Sequence, residues 1–354
     1  MWGEIVCGVV ICPQMPRDNI IATRHTSDDM HEGAYKIRPT GTAPDGSTAE
    51  GATVEPRLPV SVEWPTVLVA AAIWTGLGIV LATHEMAPWW LTVPLLVYLA
   101  GWYASLRHEV AHGHPTPWPA VNHSLVAVPL DFVYPFTRFR DLHLEHHRDP
   151  STLTDPITDT ESRYCSAEAW DRAGPVGRLL MRLDRTLLGW LTIGVIRSAI
   201  RYLASDLRLA VSNRRLGRIW ACHVVGCGAT AYLIVGLIGL PVFQLVVGLV
   251  YGRTVCTGMR TFAEHRWMPD GATRSAVVRA GPLLSLLYLN NNLHHTHHAR
   301  PGAAWYALPR LHRSLGSDAI SDAGAGLYRG GYVEQWRRFA VRSFCRPVHP
   351  GQKI

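Results

Sequence analysis

The chain has 354 residues, 48% of them hydrophobic and 17% charged, whereas a soluble domain carries about 25% charge. That deficit and the mean hydropathy of +0.06 argue against an ordinary soluble globule and for a membrane protein with sizeable polar parts. The net charge is +7 and every base except Lys36 and Lys353 is arginine, but no basic run is interleaved with aromatics, so no nucleic-acid partner is expected.

In chain order, residues 5–12 are apolar but lack the basic flank and small-residue cleavage site of a signal peptide. Residues 1–57 form a polar segment rich in Gly, Pro and Thr, expected to be disordered, and Met15 and Met30 are alternative starts. A membrane span needs about 20 mostly apolar residues. Four stretches meet that demand: 66–83, 87–106, 219–240 and 241–259. The first two are joined by His84, Glu85 and Met86, the last two by Gly239, Leu240 and Pro241. Links this short force two tight helical hairpins. Trp89 and Trp90 open the second span as interface anchors.

The arginines crowd residues 107–218 and 261–354, and the two short links hold none. By the positive-inside rule both termini and the long middle loop are cytoplasmic, in a bacterial-type plasma membrane. Two weaker apolar stretches in that loop, 120–136 and 187–203, carry polar or charged residues and read as interfacial or cap helices. The expected fold is thus an all-α integral membrane protein with four transmembrane helices in two hairpins under a cytosolic helical cap. The membrane domain would span 58–315 and a cytosolic tail 316–354. The seven cysteines include no C-x-x-C pair, which fits a reducing compartment.

Histidine is the unusual component: there are 18. His108 and His112 stand four apart where the second span leaves the membrane, hence on one helical face. His143, His146 and His147 repeat at i, i+3 and i+4, as do His294, His297 and His298. His265 lies alone just past the fourth span, while His295 points elsewhere and His114 lies on a different face from His112. A single buried histidine is usually a satisfied core residue, but three clusters exceed one tetrahedral zinc site and suit two metal ions. Because both hairpins return to the same side, all three boxes emerge together.

This order, H-x-x-x-H, then H-x-x-H-H, then a second hairpin and H-x-x-H-H, resembles the membrane fatty acid desaturases and the related alkane and carotenoid oxygenases over roughly residues 60–310. The stretch from Pro301 to Pro309 resembles the segment after the last box in many bacterial members. The resemblance implies two non-haem iron ions held by His108, His112, His143, His146, His147, His265, His294, His297 and His298. It also implies O2 as co-substrate and an apolar, lipid-like substrate in the membrane. No flavin or haem domain is visible: His349, Pro350 and Gly351 match the start of a haem-binding H-P-G-G but leave no room for a domain. Electrons would then come from a separate donor, a ferredoxin or similar. Desaturation and hydroxylation share the ligand set and stay open, as does a small amino-acid-like substrate. Asn291 or Asn292 could hold a metal-bound water or cap a helix. Asp149, Asp155 and Asp159 could support ligand histidines or lie in a solvated loop.

Two rival readings are defined by the same residues. His108, Glu109 and His112 satisfy H-E-x-x-H, the zinc metalloprotease motif with Glu109 as base, but that leaves both H-x-x-H-H boxes unexplained. A metal transporter would need polar residues along the spans, where only His223, Gln244 and Arg253 occur.

Overall fold

A computed structural model of the chain describes residues 58–351 and two short strands, Tyr35–Ile37 and Val54–Pro56. These strands pair antiparallel, with Tyr35 opposite Pro56. The remainder of the segment expected to be disordered, and residues 352–354, lie outside the described residues.

Helix dominates. Among the described residues, five helices are long and apolar enough to cross a membrane: Trp64–Thr83, Trp89–Ala111, Leu187–Ser212, Arg214–Leu237 and Val242–Thr261. The first, second, fourth and fifth stand where hydropathy places spans. The third arises from the stretch expected to be interfacial and runs unbroken for 26 residues. Two of its charges are paired: Arg197 meets Asp184 at 2.6 Å, and Asp206 takes Arg138 at 2.8 Å and the Trp220 indole N–H at 2.7 Å.

The other weak stretch does not form the expected helix. Only Pro119–Ser124 is helical. Pro129 and Pro135 lack the amide hydrogens a helix needs, and the Asp131 carboxylate accepts the N–H groups of Val133 and Tyr134 at 3.0 and 3.1 Å, which bends the chain into a turn.

The second and fifth long helices approach closely through glycine. A Cβ at Gly248 would stand 2.8 Å from Leu96 Cβ, and one at Gly252 would stand 2.5 Å from Val97 Cγ2. Small residues four apart permit this contact where apolar solvent gives helices little hydrophobic drive to associate. The first helix joins the same core through Ile73 and Leu77. Outward-facing Trp64, Leu68, Trp89, Trp90, Leu95, Val225 and Phe243 are exposed, a surface suited to lipid.

Several polar groups inside this apolar body are matched. Thr92 Oγ1 donates to Gln244 Oε1 at 2.8 Å. Asp131 receives Arg253 at 2.6 Å and also Arg107, whose second nitrogen donates to the Tyr134 carbonyl at 2.8 Å. This triad locks the turn after Pro129 to the second and fifth helices, one residue from His108.

A second core, with Phe262, Val278, Tyr288, Tyr332 and Phe344, packs the residues after the fifth helix against the C-terminal segment. There Val277–Val278 pairs in parallel with Leu327–Tyr328. Replacing Asp131 by Ala would leave two buried arginines unmatched, at a cost of about 3–5 kcal/mol. We expect Asp131→Ala to lower the melting temperature of the detergent-purified protein sharply; an unchanged melting curve would show that the triad carries little of the fold.

Candidate metal centre

Each histidine box sits where a helix stops or is itself a short helix. The second long helix carries His108, is capped by His112, and the chain then turns away at Gly113 with φ 96°, the left-handed conformation that ends many helices. The helix Phe136–His146 contains His143 and His146, with His147 as its C-cap. The third box is the short helix His294–Ala299. It is reached through Leu289 and Asn290, at φ 46° and 56°, a region that non-glycine residues occupy only when their surroundings impose it. His265 follows the fifth helix on a segment bridged to Ser275.

The structure brings all nine predicted histidines together, in two groups. His108, His112, His143, His147 and His297 form one; His146, His265, His294 and His298 form the other, with ligand atoms inside each group all within 4.8 Å. The split follows from helix geometry. Residues i and i+4 differ by about 40° around the axis and i+3 falls on the other side, at about −60°. So His143 and His147 share one group while His146 joins the other, and His294 and His298 share the second while His297 crosses to the first.

The ring nitrogens show what the groups can hold. His112 Nε2 lies 3.0 Å from His143 Nε2, His147 Nε2 3.2 Å from His143 Nε2, and His297 Nε2 3.0 Å from His147 Nε2. In the second group His265 Nε2 is 3.1 Å from His146 Nε2 and 2.9 Å from His294 Nε2. The opposite nitrogens are engaged: His143 Nδ1 donates to Glu161 at 2.6 Å, His146 Nδ1 to Asp159 at 2.7 Å, and His294 Nδ1 to Asn291 Oδ1 at 2.9 Å. Those oxygens can only accept, so in the neutral rings of His143, His146 and His294 Nε2 is a bare lone pair aimed at the Nε2 of a neighbouring histidine. Nitrogens converging at such distances can share a proton or a cation, and neutral imidazole suits iron, copper and zinc. The residues therefore fit two metal ions.

The electrostatics agree. His147, His294, His297 and His298 are held well below the ordinary histidine range, first by burial and then by neighbouring histidines. His146 differs: burial opposes its charge, but Asp159 and Glu161 outweigh burial and raise it to about 9. A carboxylate behind an imidazole makes its far nitrogen a stronger donor to metal. Asp159 is itself anchored by the N–H groups of Thr154 at 2.7 Å and Glu161 at 2.9 Å, and Thr154 adopts φ 74° to offer its own.

Other residues singled out from the sequence fall into place. Asp149 and Asp155 accept local N–H groups of Ser151, Ile157 and Thr158, leaving Asp159 as the acid of the three that reaches a histidine. Glu161, which the sequence reading passed over, does the same for His143. Neither asparagine caps the third-box helix: Asn291 Nδ2 is 3.1 Å from His108 Nε2, so its amide touches a histidine of each group, while Asn292 Nδ2 donates to the Val278 carbonyl at 2.8 Å. His114 pairs with Glu63 at 2.8 Å and joins neither group. Among the described residues no carboxylate enters either group; Glu109 is buried and accepts the Trp305 N–H at 3.1 Å. Trp305 also donates from its indole to Thr66 at 3.1 Å, tying the segment after the third box to the first helix.

Asp159→Asn keeps the shape but removes the charge behind His146. Loss of such a partner costs about 10–100-fold in metal affinity. We expect that loss in a chelator competition; unchanged affinity would show that Asp159 does not tune the site.

The fatty acid desaturase family model matches residues 86–325, a stretch that begins before the first box and ends after the third. The chain is similar to the sn-1 oleoyl-lipid 12-desaturase of Picosynechococcus sp. (strain ATCC 27264 / PCC 7002 / PR-6), at 24% identity over 276 residues, 71% of this chain and 76% of the relative. With its histidine boxes gathered in space and its membrane-type helices, the chain belongs to the fatty acid desaturase family.

Proposed function

We propose that the protein is an O2-dependent di-iron membrane oxidoreductase that introduces a double bond into a fatty acyl chain or related apolar substrate. The observation that carries this reading is the pairing of two adjoining histidine groups, each fed by the second and third boxes. His108, His112, His143, His147 and His297 would hold one iron and His146, His265, His294 and His298 the other. When bound, the irons supply the oxidising power for removing hydrogen from an unactivated C–H bond. The protein's own work is to hold the imidazoles other than His146 toward their neutral form by burial, to aim the rings through Asp159, Glu161 and Asn291, and to shield them from water.

Across one turnover, O2 takes two electrons from the donor, two protons from solvent and two hydrogens from the substrate, leaving a double bond and two waters. Hydroxylation uses the same donor electrons and leaves one oxygen in the product. The desaturase similarity favours the first outcome. A separate ferredoxin-like donor would dock on the arginine-rich face. The peptidase reading is disfavoured by the position of Glu109, outside both groups, and by the use of His108 and His112 in a five-histidine set.

Four membrane spans under a cytoplasmic cap, in a bacterial plasma membrane, remain our preferred topology. The third long helix would then lie along the membrane surface. Its exposed Ile193, Ile196, Ile200, Leu207 and Val211 recur at helical spacing, while Val195 and Asp206 are buried on the other side. That is the pattern of an interfacial helix.

The test is turnover of iron-loaded protein with reduced ferredoxin, O2 and oleoyl lipid, read by mass spectrometry. Product two hydrogens lighter supports desaturation, and product one oxygen heavier supports hydroxylation. His298→Ala should abolish either. Absence of substrate-dependent O2 consumption with every acyl lipid or free acid offered would contradict the reading.

A further inference from the structure

A cavity of about 310 Å3 adjoins both histidine groups, with His143 of the first and His265 of the second in its wall. It runs between the third and fifth long helices, where Ser198 and Tyr202 face Thr254 and Thr257. Its volume sits at the small end of the range for small-molecule sites, about 300–1,000 Å3.

The wall is not that of a plain hydrocarbon tunnel. Four arginines reach it: Arg163, Arg185, Arg253 and Arg260. Arg253 is matched by Asp131 at 2.6 Å and Arg260 by Glu264 at 2.9 Å. The other wall acids are committed too, Asp159 to His146 and Glu161 to His143. Arg163 and Arg185 have no carboxylate within 4.0 Å among the described residues. Arg163 donates only to the carbonyls of Phe262 and Asp184, each at 2.6 Å, and lies 3.9 Å over the Trp190 ring. Arg185 is 7% exposed, and its Nε has no hydrogen-bond partner among the described residues. The adjacent Asp184 carboxylate accepts from Arg197 through Oδ2 at 2.6 Å, and its buried Oδ1 has no hydrogen-bond partner among the described residues. Burial, and then Arg185, press on the charge of Arg163 and bring it down to about 9.

A buried guanidinium without an anion is costly. A hydrocarbon chain against this wall would leave it so, whereas a carboxylate could take charge-assisted hydrogen bonds from both arginines. The reach is short. Arg163 follows Glu161, the partner of His143, by two residues, which places their Cα atoms within about 7.6 Å. Its other anchor, the Phe262 carbonyl, lies three residues before His265.

Building on the di-iron desaturase-type reading, we infer that the substrate of this cavity is a free carboxylic acid of short or medium length, not the acyl chain of an intact glycerolipid. Its carboxylate docks on Arg163 and Arg185, and its hydrocarbon part extends toward His143 and His265. The reaction keeps the same balance, with O2 and the donor's electrons unchanged.

The test is calorimetric titration of iron-loaded, full-length protein in detergent with octanoate and with methyl octanoate. Octanoate should bind at least tenfold more tightly than the ester. Arg185→Met should weaken octanoate binding by about 10- to 150-fold, the range for hydrogen bonds to charged groups, leave the ester unchanged, and be largely rescued by Arg185→Lys. Equal binding of acid and ester by wild-type protein would overturn the inference even if the variant fails to fold. So would an Arg185→Met protein that retains its iron and binds octanoate as wild type does. Iron content of the same samples separates the two levels. Normal iron with no preference for the acid sinks only the carboxylate substrate, whereas wild type unable to hold iron sinks the di-iron reading with it.

Discussion

Bare imidazole nitrogens aimed at one another are the constraint on which the rest of this structure depends. Rings whose Nδ1 hydrogens are spent on Asp159, Glu161 and Asn291 turn Nε2 toward neighbouring rings, as His146 and His294 do toward His265 at 3.1 and 2.9 Å. The fold imposes this arrangement, and a metal ion could complete it. A metal bound there would add its binding free energy to that of folding.

The imposing parts are identifiable. Helix ends deliver the boxes, because the end of a helix is where the chain can turn a side chain inward without breaking its hydrogen-bond ladder. The close contact at Gly248 and Gly252 sets the distance between the second and fifth helices, and therefore between His108 and the segment carrying His265. The Arg107, Asp131 and Arg253 triad fixes the connecting turn. Strain at Thr154, Leu289 and Asn290 is confined to the approaches to the histidines, where the surrounding hydrogen bonds can sustain it.

Much of this was legible in the sequence, and for physical reasons. Four apolar stretches of span length read directly, since bilayer thickness leaves few alternatives. The nine histidines read because boxes at i, i+3 and i+4 are rare on an ordinary surface. His265, chosen by location alone, also falls in place. The features that did not read depend on contacts far apart in the chain. Glu161 gives no local sign that it meets His143, eighteen residues earlier. The stretch 187–203 looked too polar for a long apolar helix because Arg197 has its partner in Asp184, outside the helix. Residues 120–136 looked helical by composition, but two prolines and the carboxylate of Asp131 make a turn. The division of histidines between two groups is consistent with the spacing, since the i+3 residue stands about 100° from i+4 around the axis, but only the structure shows which ring joins which group.

Metal stoichiometry tests the central claim most directly. Protein purified in detergent and reconstituted with ferrous iron should hold two irons per chain, and His146→Ala should release iron from the second group while His112→Ala releases it from the first. A single zinc per chain, lost in His112→Ala and indifferent to His146→Ala, would contradict the account.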